Sequence, residues 1–458
     1  MFELLIGLII AVPLVFYARE FHRGWRFLDP VNTFWPLYLL FGVFQACVFR
    51  QDWLDVYGES VLSWTLALYV LAGLGVWFGY SRPLGRSLGR GLPLISGSDN
   101  PFRYVALGFA ALACGLLAYD YVIGASGGLQ NYLAVSRMVV DKDISNYIVG
   151  LETLVPFGLM VLLCTTSSSP RFRVLRLFSV SATGLFTLWC IYSGTRSGVI
   201  TVACFVLGSA YGLRRSNPPL RVLLPSAAVV VVLVGFVSSY RGNMYGGEFH
   251  SNDSSGESLN RSLSAYTKAD QGGAPLGSEF GMSLAAVRFV PEVVPYDQGH
   301  MLLELFTAGI PRTWWPDKIY PAGESWDRFH QAAGTARCVN AAGYLTGPAP
   351  GLIGKYYYIA GPLGVVLGSI WTGLFLRILK TYADRYTGVT GVVLSVSVWL
   401  LGFSEMNNPL AWPIAWIPSI GVFAFLVIVI ARKGIPWLQI HRASRRPAPA
   451  WAVPRARP

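Results

Sequence analysis

VLSWTLALYVLAGLGVWFGY, residues 61–80, decides the fold. Twenty residues without a single charge reach about 30 Å as a helix, the thickness of a bilayer's hydrocarbon core. Arg82, Arg86 and Arg90 follow at once, and a basic flank of this kind marks the cytoplasmic end of a membrane-spanning helix.

Working outward from this run, apolar stretches of similar character occur at 2–17, 33–49, 103–123, 146–165, 174–193, 197–213, 222–239, 351–376, 389–404 and 410–431. Backbone polar groups in lipid must find partners within their own segment, so these runs read as helices. None shows the period-two alternation of a membrane barrel. Hydrophobic residues make up 53% of the chain and charged residues 13%, a balance that suits the bilayer as solvent rather than a soluble core. The expected fold is an all-α polytopic integral membrane protein of about 11 transmembrane helices with one large outer loop domain. Its parts are 1–239 (the first eight helices), 240–350 (the loop), 351–431 (the last three helices) and 432–458, a basic, proline-rich tail expected to be disordered.

Charge tests that count. Assigning alternate connections to the cytoplasm collects Arg19, Arg23 and Arg26, the four arginines from Arg82 to Arg103, Arg171 to Arg176, Arg214 to Arg221, Arg377 to Arg385, and the tail. Short outer loops keep only Arg50, Arg137, Lys142 and Arg196. The N-terminus is therefore expected outside and the C-terminus inside. The first run has its cations after it, the reverse of a secretory signal, and is expected to be retained. On this account the net charge of +12 records topology and attraction to anionic headgroups, not a nucleic-acid footprint. Cys114, Cys164, Cys190 and Cys204 fall inside spans and read as small packing residues. Cys338 stands alone in the outer loop, where Cys47 is its only plausible disulfide partner.

About 110 residues between Tyr240 and Pro350 exceed ordinary loop length and read as a functional insertion. A polar helix is expected near Ser258–Asp270. Phe280, Leu284 and Val287, then Met301, Leu302 and Leu305, recur at helical spacing, as in helices that lie against the bilayer or cap a bundle. Within the loop, AGIPRTWWPDKIYP (308–321) braces Arg312 and Lys318 between prolines and interfacial tryptophans. Arg196 in YSGTRSG and Arg241 in SSYRGN stand at the outer ends of apolar runs, where a cation is kept cheaply by water or an anion. Guanidinium forks match phosphate oxygens in pairs. His300 and Glu304, four apart in HMLLELF, share one helical face and offer a proton acceptor. Asp52, Asp55 and Glu59, read as an outer loop, and the DKD at 141–143 carry oxygen ligands, but such acidic pairs are frequent by chance; neither a metal nor a cofactor is expected. Motifs for ATP hydrolysis and zinc proteolysis are missing.

YSGTRSG (192–198), DQGHMLLELFTAGIPRTWWPDK (297–318) and TGPAPGLIGKYYYIAGPLGVVLG (346–368) together resemble the oligosaccharide repeat-unit polymerases, the Wzy-type O-antigen and capsule polymerases. The likeness covers the second half of the chain; in the first half it rests on topology and ASGGLQNYLAVSR (125–137). Ile319 stands where relatives often have proline, and Lys355 where an acid is common. The resemblance implies a bacterial inner-membrane glycosyltransferase, N-terminus periplasmic and C-terminus cytoplasmic, that moves a growing glycan from undecaprenyl diphosphate onto a hydroxyl of a lipid-linked repeat unit at the periplasmic face. Its partners would be that undecaprenyl-diphosphate-linked oligosaccharide, the lipid bilayer, and a chain-length regulator and flippase. Arg196, Arg241, Arg312 and Lys318, with Arg137 and Arg288 in reserve, would bind the leaving diphosphate; His300 or Glu304 would take the hydroxyl proton. An O-antigen ligase shares the donor and differs in acceptor. A lipid-linked oligosaccharide flippase needs charges along the midplane, whereas Asp120, Glu152 and Glu405 fall near predicted helix ends. A purely structural scaffold would tolerate neutral substitutions throughout the loop.

Overall fold

A computed structural model describes residues 1–21, 26–95, 97, 99–125, 128–129, 151–168, 170–193, 196–213, 216–219, 221–226, 228–229, 232–233, 278–299, 323–333, 338–339, 345–346, 350–407 and 422–433. The described chain is mostly helical. In order the helices are α1 (Phe2–Phe21), α2 (Val31–Val48), α3 (Arg50–Ser81), α4 (Pro83–Gly91), α5 (Pro101–Ala125), α6 (Leu154–Ser167), α7 (Arg173–Tyr192), α8 (Arg196–Gly212), α9 (Glu279–Phe289), α10 (Gly323–Ala332), α11 (Gly351–Ala383), α12 (Gly388–Asn407) and α13 (Val422–Lys433). One two-residue antiparallel ladder pairs Cys338 with Thr346 and Val339 with Leu345.

Seven described helices, α1, α2, α3, α5, α7, α11 and α12, are long and apolar enough to cross a bilayer, and α6 and most of α8 are shorter apolar helices. The chain is a membrane protein. Runs 222–239 and 410–431 are described only in part, as is the loop; the Ser258–Asp270 and Met301–Leu305 expectations lie outside the described residues. Cys47, Cys114, Cys164, Cys190 and Cys204 are free thiols, so Cys47 is not held in a bridge.

Of four buried apolar clusters among the described residues, the two largest hold most of the helices together. The first gathers Phe16, Trp35, Tyr38, Trp53, Tyr69, Phe280 and Tyr358 from α1, α2, α3, α9 and α11. Its seam is glycine-based: Gly79 packs on the Ile370 carbonyl and Gly373 on the Val76 carbonyl, the close approach that small residues permit between membrane helices. The second gathers Tyr104, Phe157, Met160, Val393 and Trp399 from α5, α6 and α12. Every residue from Leu154 to Thr166 is buried, as fits a helix that is apolar all round. Helix α12 joins the cores, since the Thr33 hydroxyl of α2 donates to the Trp399 carbonyl at 2.6 Å.

Three expectations need correction. Asp52, Asp55 and Glu59 are helical rather than loop, because α3 begins at Arg50 and buries Trp53 and Tyr57 before it kinks at Gly58. Phe280, Met282, Leu284, Ala285 and Ala286 are fully buried, so of the two expectations for this stretch, lying against the bilayer or capping the bundle, α9 departs from the first. Run 351–376 is broken rather than continuous: Ala360 and Gly361 leave helical geometry, with Gly361 at φ 62, directly before Pro362. Pro362 has no N–H to offer and Gly361 tolerates the positive φ.

At that break the chain folds back. The Tyr356 carbonyl abuts Gly364, its ring abuts Gly368, and its hydroxyl lies 2.9 Å from Thr372 Oγ1. In an unbroken helix, residues sixteen apart would be separated by about 24 Å. Gly351–Ile359 is thus a re-entrant limb, and each of its residues is buried. Its terminal carbonyls, which a helix end leaves without intrahelical partners, are taken up by Asp297 N–H to Tyr358 O at 3.0 Å and Gln298 N–H to Ile359 O at 3.1 Å. Irregular backbone is tolerated inside a membrane protein only where protein satisfies it in this way.

Candidate functional site

The re-entrant limb carries a lysine into the bundle. Lys355 is 7% exposed and faces the charge of Glu405, 3% exposed, from the last turn of α12. Thr372, midway along the second limb of α11, donates to Glu405 Oε2 at 3.4 Å and accepts from the Tyr356 hydroxyl. Tyr356, Thr372 and Glu405 therefore form a hydroxyl-to-carboxylate chain beside an ammonium. Glu405 sits near a helix end, as its sequence position suggests, yet that end meets the middle of a neighbouring span. Removing two charges from water carries a large desolvation cost, and ionisable groups inside membrane helices mark functional sites by default.

Elements of the large loop surround this limb. Ser283 Oγ of α9 lies 2.8 Å from Glu279 O and 3.1 Å from Pro350 O, tying α9 to the start of α11. Gln45 Oε1 of α2 accepts from Phe280 N at 3.2 Å. On the other side Phe329 of α10 packs its ring on Tyr358 at 5.9 Å and on His330 at 5.5 Å. His330 is fully buried, and Asp297 is 4% exposed. Lys355, Tyr356, Thr372 and Glu405 thus form the linked cluster, whereas Asp297 meets the limb through its backbone N–H and His330 lies beside Phe329, which packs on Tyr358.

Of the predicted site residues, Arg288 lies at the C-terminal end of α9, half-exposed and paired with Glu292 at 3.2 Å. Arg196 opens α8, and its side chain is outside the described residues. These two belong to elements of different cores. Arg137, Arg241, His300, Glu304, Arg312 and Lys318 lie outside the described residues.

Lys355, Glu405, Asp297 and His330 were not among the predicted site residues. The signal for the first was present: a lysine five residues before Ala-Gly-Pro within an apolar run. For Asp297 and His330 no local pattern exists, because their burial comes from contacts with a limb more than twenty residues downstream.

The model of a family described as Domain of unknown function (DUF8712) matches residues 174–423. That is more than half of the chain, which therefore belongs to this family. No curated protein and no solved structure matches it.

Proposed function

We propose that this member of the DUF8712 family is a polyprenyl-diphosphate-linked oligosaccharide polymerase of the bacterial inner membrane, with its site on the periplasmic face. The observation that carries the reading is the meeting of two stretches that bear the resemblance. Asp297 and Gln298, which open DQGHMLLELFTAGIPRTWWPDK, bond to Tyr358 and Ile359 of TGPAPGLIGKYYYIAGPLGVVLG. Both stretches, and YSGTRSG, fall within the matched family region.

In the proposed reaction an acceptor hydroxyl attacks the anomeric carbon of the donor glycan. The new glycosidic C–O bond forms as the bond to undecaprenyl diphosphate breaks, and the hydroxyl proton passes to His300 or Glu304. The leaving diphosphate takes the electron pair and is stabilised by Arg196, Arg241, Arg312 and Lys318, with Arg137 and Arg288 behind them. Preorganised charge at a leaving group is commonly the largest catalytic contribution. Lys355 and Glu405 act as positioning residues that fix the re-entrant limb beneath this loop.

The test supplies purified, membrane-reconstituted protein with lipid-linked repeat units alone. A polymerase gives a ladder of products; a ligase, which needs a different acceptor, gives none. Arg196→Ala and Arg312→Ala should each cut ladder formation by about a hundredfold. A folded wild-type protein with no ladder, or both variants at full activity, overturns the reading.

A second reading, a lipid-linked oligosaccharide flippase, is favoured by the broken α11 and its buried charges, features that transporters use at their substrate sites. Movement of labelled lipid-linked oligosaccharide between leaflets without any acceptor would establish it in place of the polymerase.

A further inference from the structure

A cavity of about 590 Å³, within the usual range for small-molecule sites, opens between the C-terminal end of α1, the 26–32 connection, α4 and the last turns of α11. It lies beyond the far end of α11 from the Gly361 turn, and neither the resemblance nor the proposed transfer uses it. Six cations line it: Arg26, Arg86, Arg90, Arg377, Lys380 and Arg385. Three carboxylates oppose them: Glu20, Asp29 and Asp384.

Those carboxylates are largely committed. Asp384 Oδ2 is held by Lys380 Nζ at 2.7 Å, and its Oδ1 is approached by Arg26 at 3.6 Å. Asp29 accepts from the Tyr80 hydroxyl and lies 3.8 Å from Lys380. Arg385 is spent on structure, donating to the Gly89 and Leu92 carbonyls at the end of α4. What remains is excess positive charge. Arg377 rests over the Tyr80 ring at 4.9 Å, and its buried Nε has no hydrogen-bond partner among the described residues. Arg90 is exposed, with no ion pair among the described residues.

We infer that this cavity binds a phosphate-bearing anion, through the guanidinium groups of Arg377, Arg86 and Arg90. Planar guanidinium forks pair with phosphate oxygens where a lysine offers only a point charge. The cations sit immediately past the ends of apolar spans, at the level where lipid phosphates lie. A lipid headgroup and a soluble phosphate compound share the required chemistry. The inference does not rest on the polymerase reading, and its test does not measure transfer.

Two arms separate the sources. In nanodiscs of phosphatidylcholine alone, inorganic diphosphate is titrated by calorimetry. In nanodiscs containing phosphatidylglycerol, tightly held lipid is counted by native mass spectrometry. Arg90→Gln, which alters an exposed side chain, and Arg86→Gln are compared with Arg171→Gln, an exposed arginine outside the cavity, after matching thermal melts. Saturable diphosphate binding identifies a soluble phosphate compound, and selective phosphatidylglycerol retention identifies a headgroup. In either case Arg90→Gln and Arg86→Gln should each weaken binding about fivefold. No saturable binding in both arms, or losses no greater than with Arg171→Gln, overturns the inference.

Discussion

Two carboxylates, the buried Glu405 and the partly buried Asp29, show how position decides what a charge does. Glu405 faces Lys355 inside the bundle. Lys355→Met removes the cation whose charge opposes the desolvation of Glu405 and should destabilise the bundle, whereas Lys355→Met with Glu405→Leu removes both charges and should recover part of that loss. Unfolding in detergent measures all three proteins; additive losses would show that the pair is not coupled. Asp29, outside the spans, has its carboxyl pKa raised by burial, against the opposing pull of Lys380, the Tyr80 hydroxyl and Arg377. The folded protein therefore keeps this proton at pH values where an unfolded carboxyl has lost it. Stability from this group is present below the ordinary carboxylate range and is lost as pH rises through the folded value. Protonation also deletes a negative charge from the basic cavity. Binding of sulfate, whose own charge stays fixed, should tighten as pH falls through the raised value of Asp29, and Asp29→Asn should flatten that dependence. A pH-independent wild type would count against it.

At the scale of elements, the re-entrant limb depends on one turn. Gly361 adopts φ 62, and a Cβ there would stand 2.8 Å from the Tyr296 hydroxyl. Gly361→Ala should cost about 1–3 kcal/mol for a backbone conformation, φ 62 and ψ −149, that is essentially reserved for glycine, and Tyr296→Phe in the same protein should relieve only the steric part. An unchanged melting temperature in Gly361→Ala would show that the break does not need glycine. Much of the element map was legible because runs such as 61–80 are long, uncharged and flanked by arginine. Helix α9 was legible from Phe280, Leu284 and Val287, yet its burial was not, since a one-sided spacing does not reveal a second partner. The fold-back at Ala360–Gly361 was hidden in an apolar run whose hydropathy stays high on both sides. The cations of the candidate transferase site were legible only as types, because which of them converge depends on contacts between segments distant in sequence.

At the scale of the whole molecule, the two larger cores are each built on a glycine seam, and α12 contributes to both. One seam runs through Gly79 and Gly373 between α3 and α11; the other runs through Gly108 and Gly158 between α5 and α6, where a Cβ on Gly158 would lie 2.7 Å from the Gly108 carbonyl. At each seam the neighbouring atom is backbone, so it cannot rotate away, and an added methyl must part the helices. Overpacking of this kind costs about 1–3 kcal/mol. Gly79→Ala and Gly158→Ala act on different cores, so their costs should add to within about 0.5 kcal/mol. Gly79→Ala and Gly373→Ala act on one seam, and helices already parted by the first should accept the second more cheaply. Equilibrium unfolding of the three single and two double variants tests this. Strong coupling between Gly79 and Gly158 would mean that α12 transmits strain from one core to the other. Additivity there, with a shortfall at Gly79 and Gly373, would show that each seam responds only to its own pair of helices, and that the Lys355–Glu405 site, whose neighbours Tyr356 and Met406 lie in the first core, depends on the α3–α11 seam.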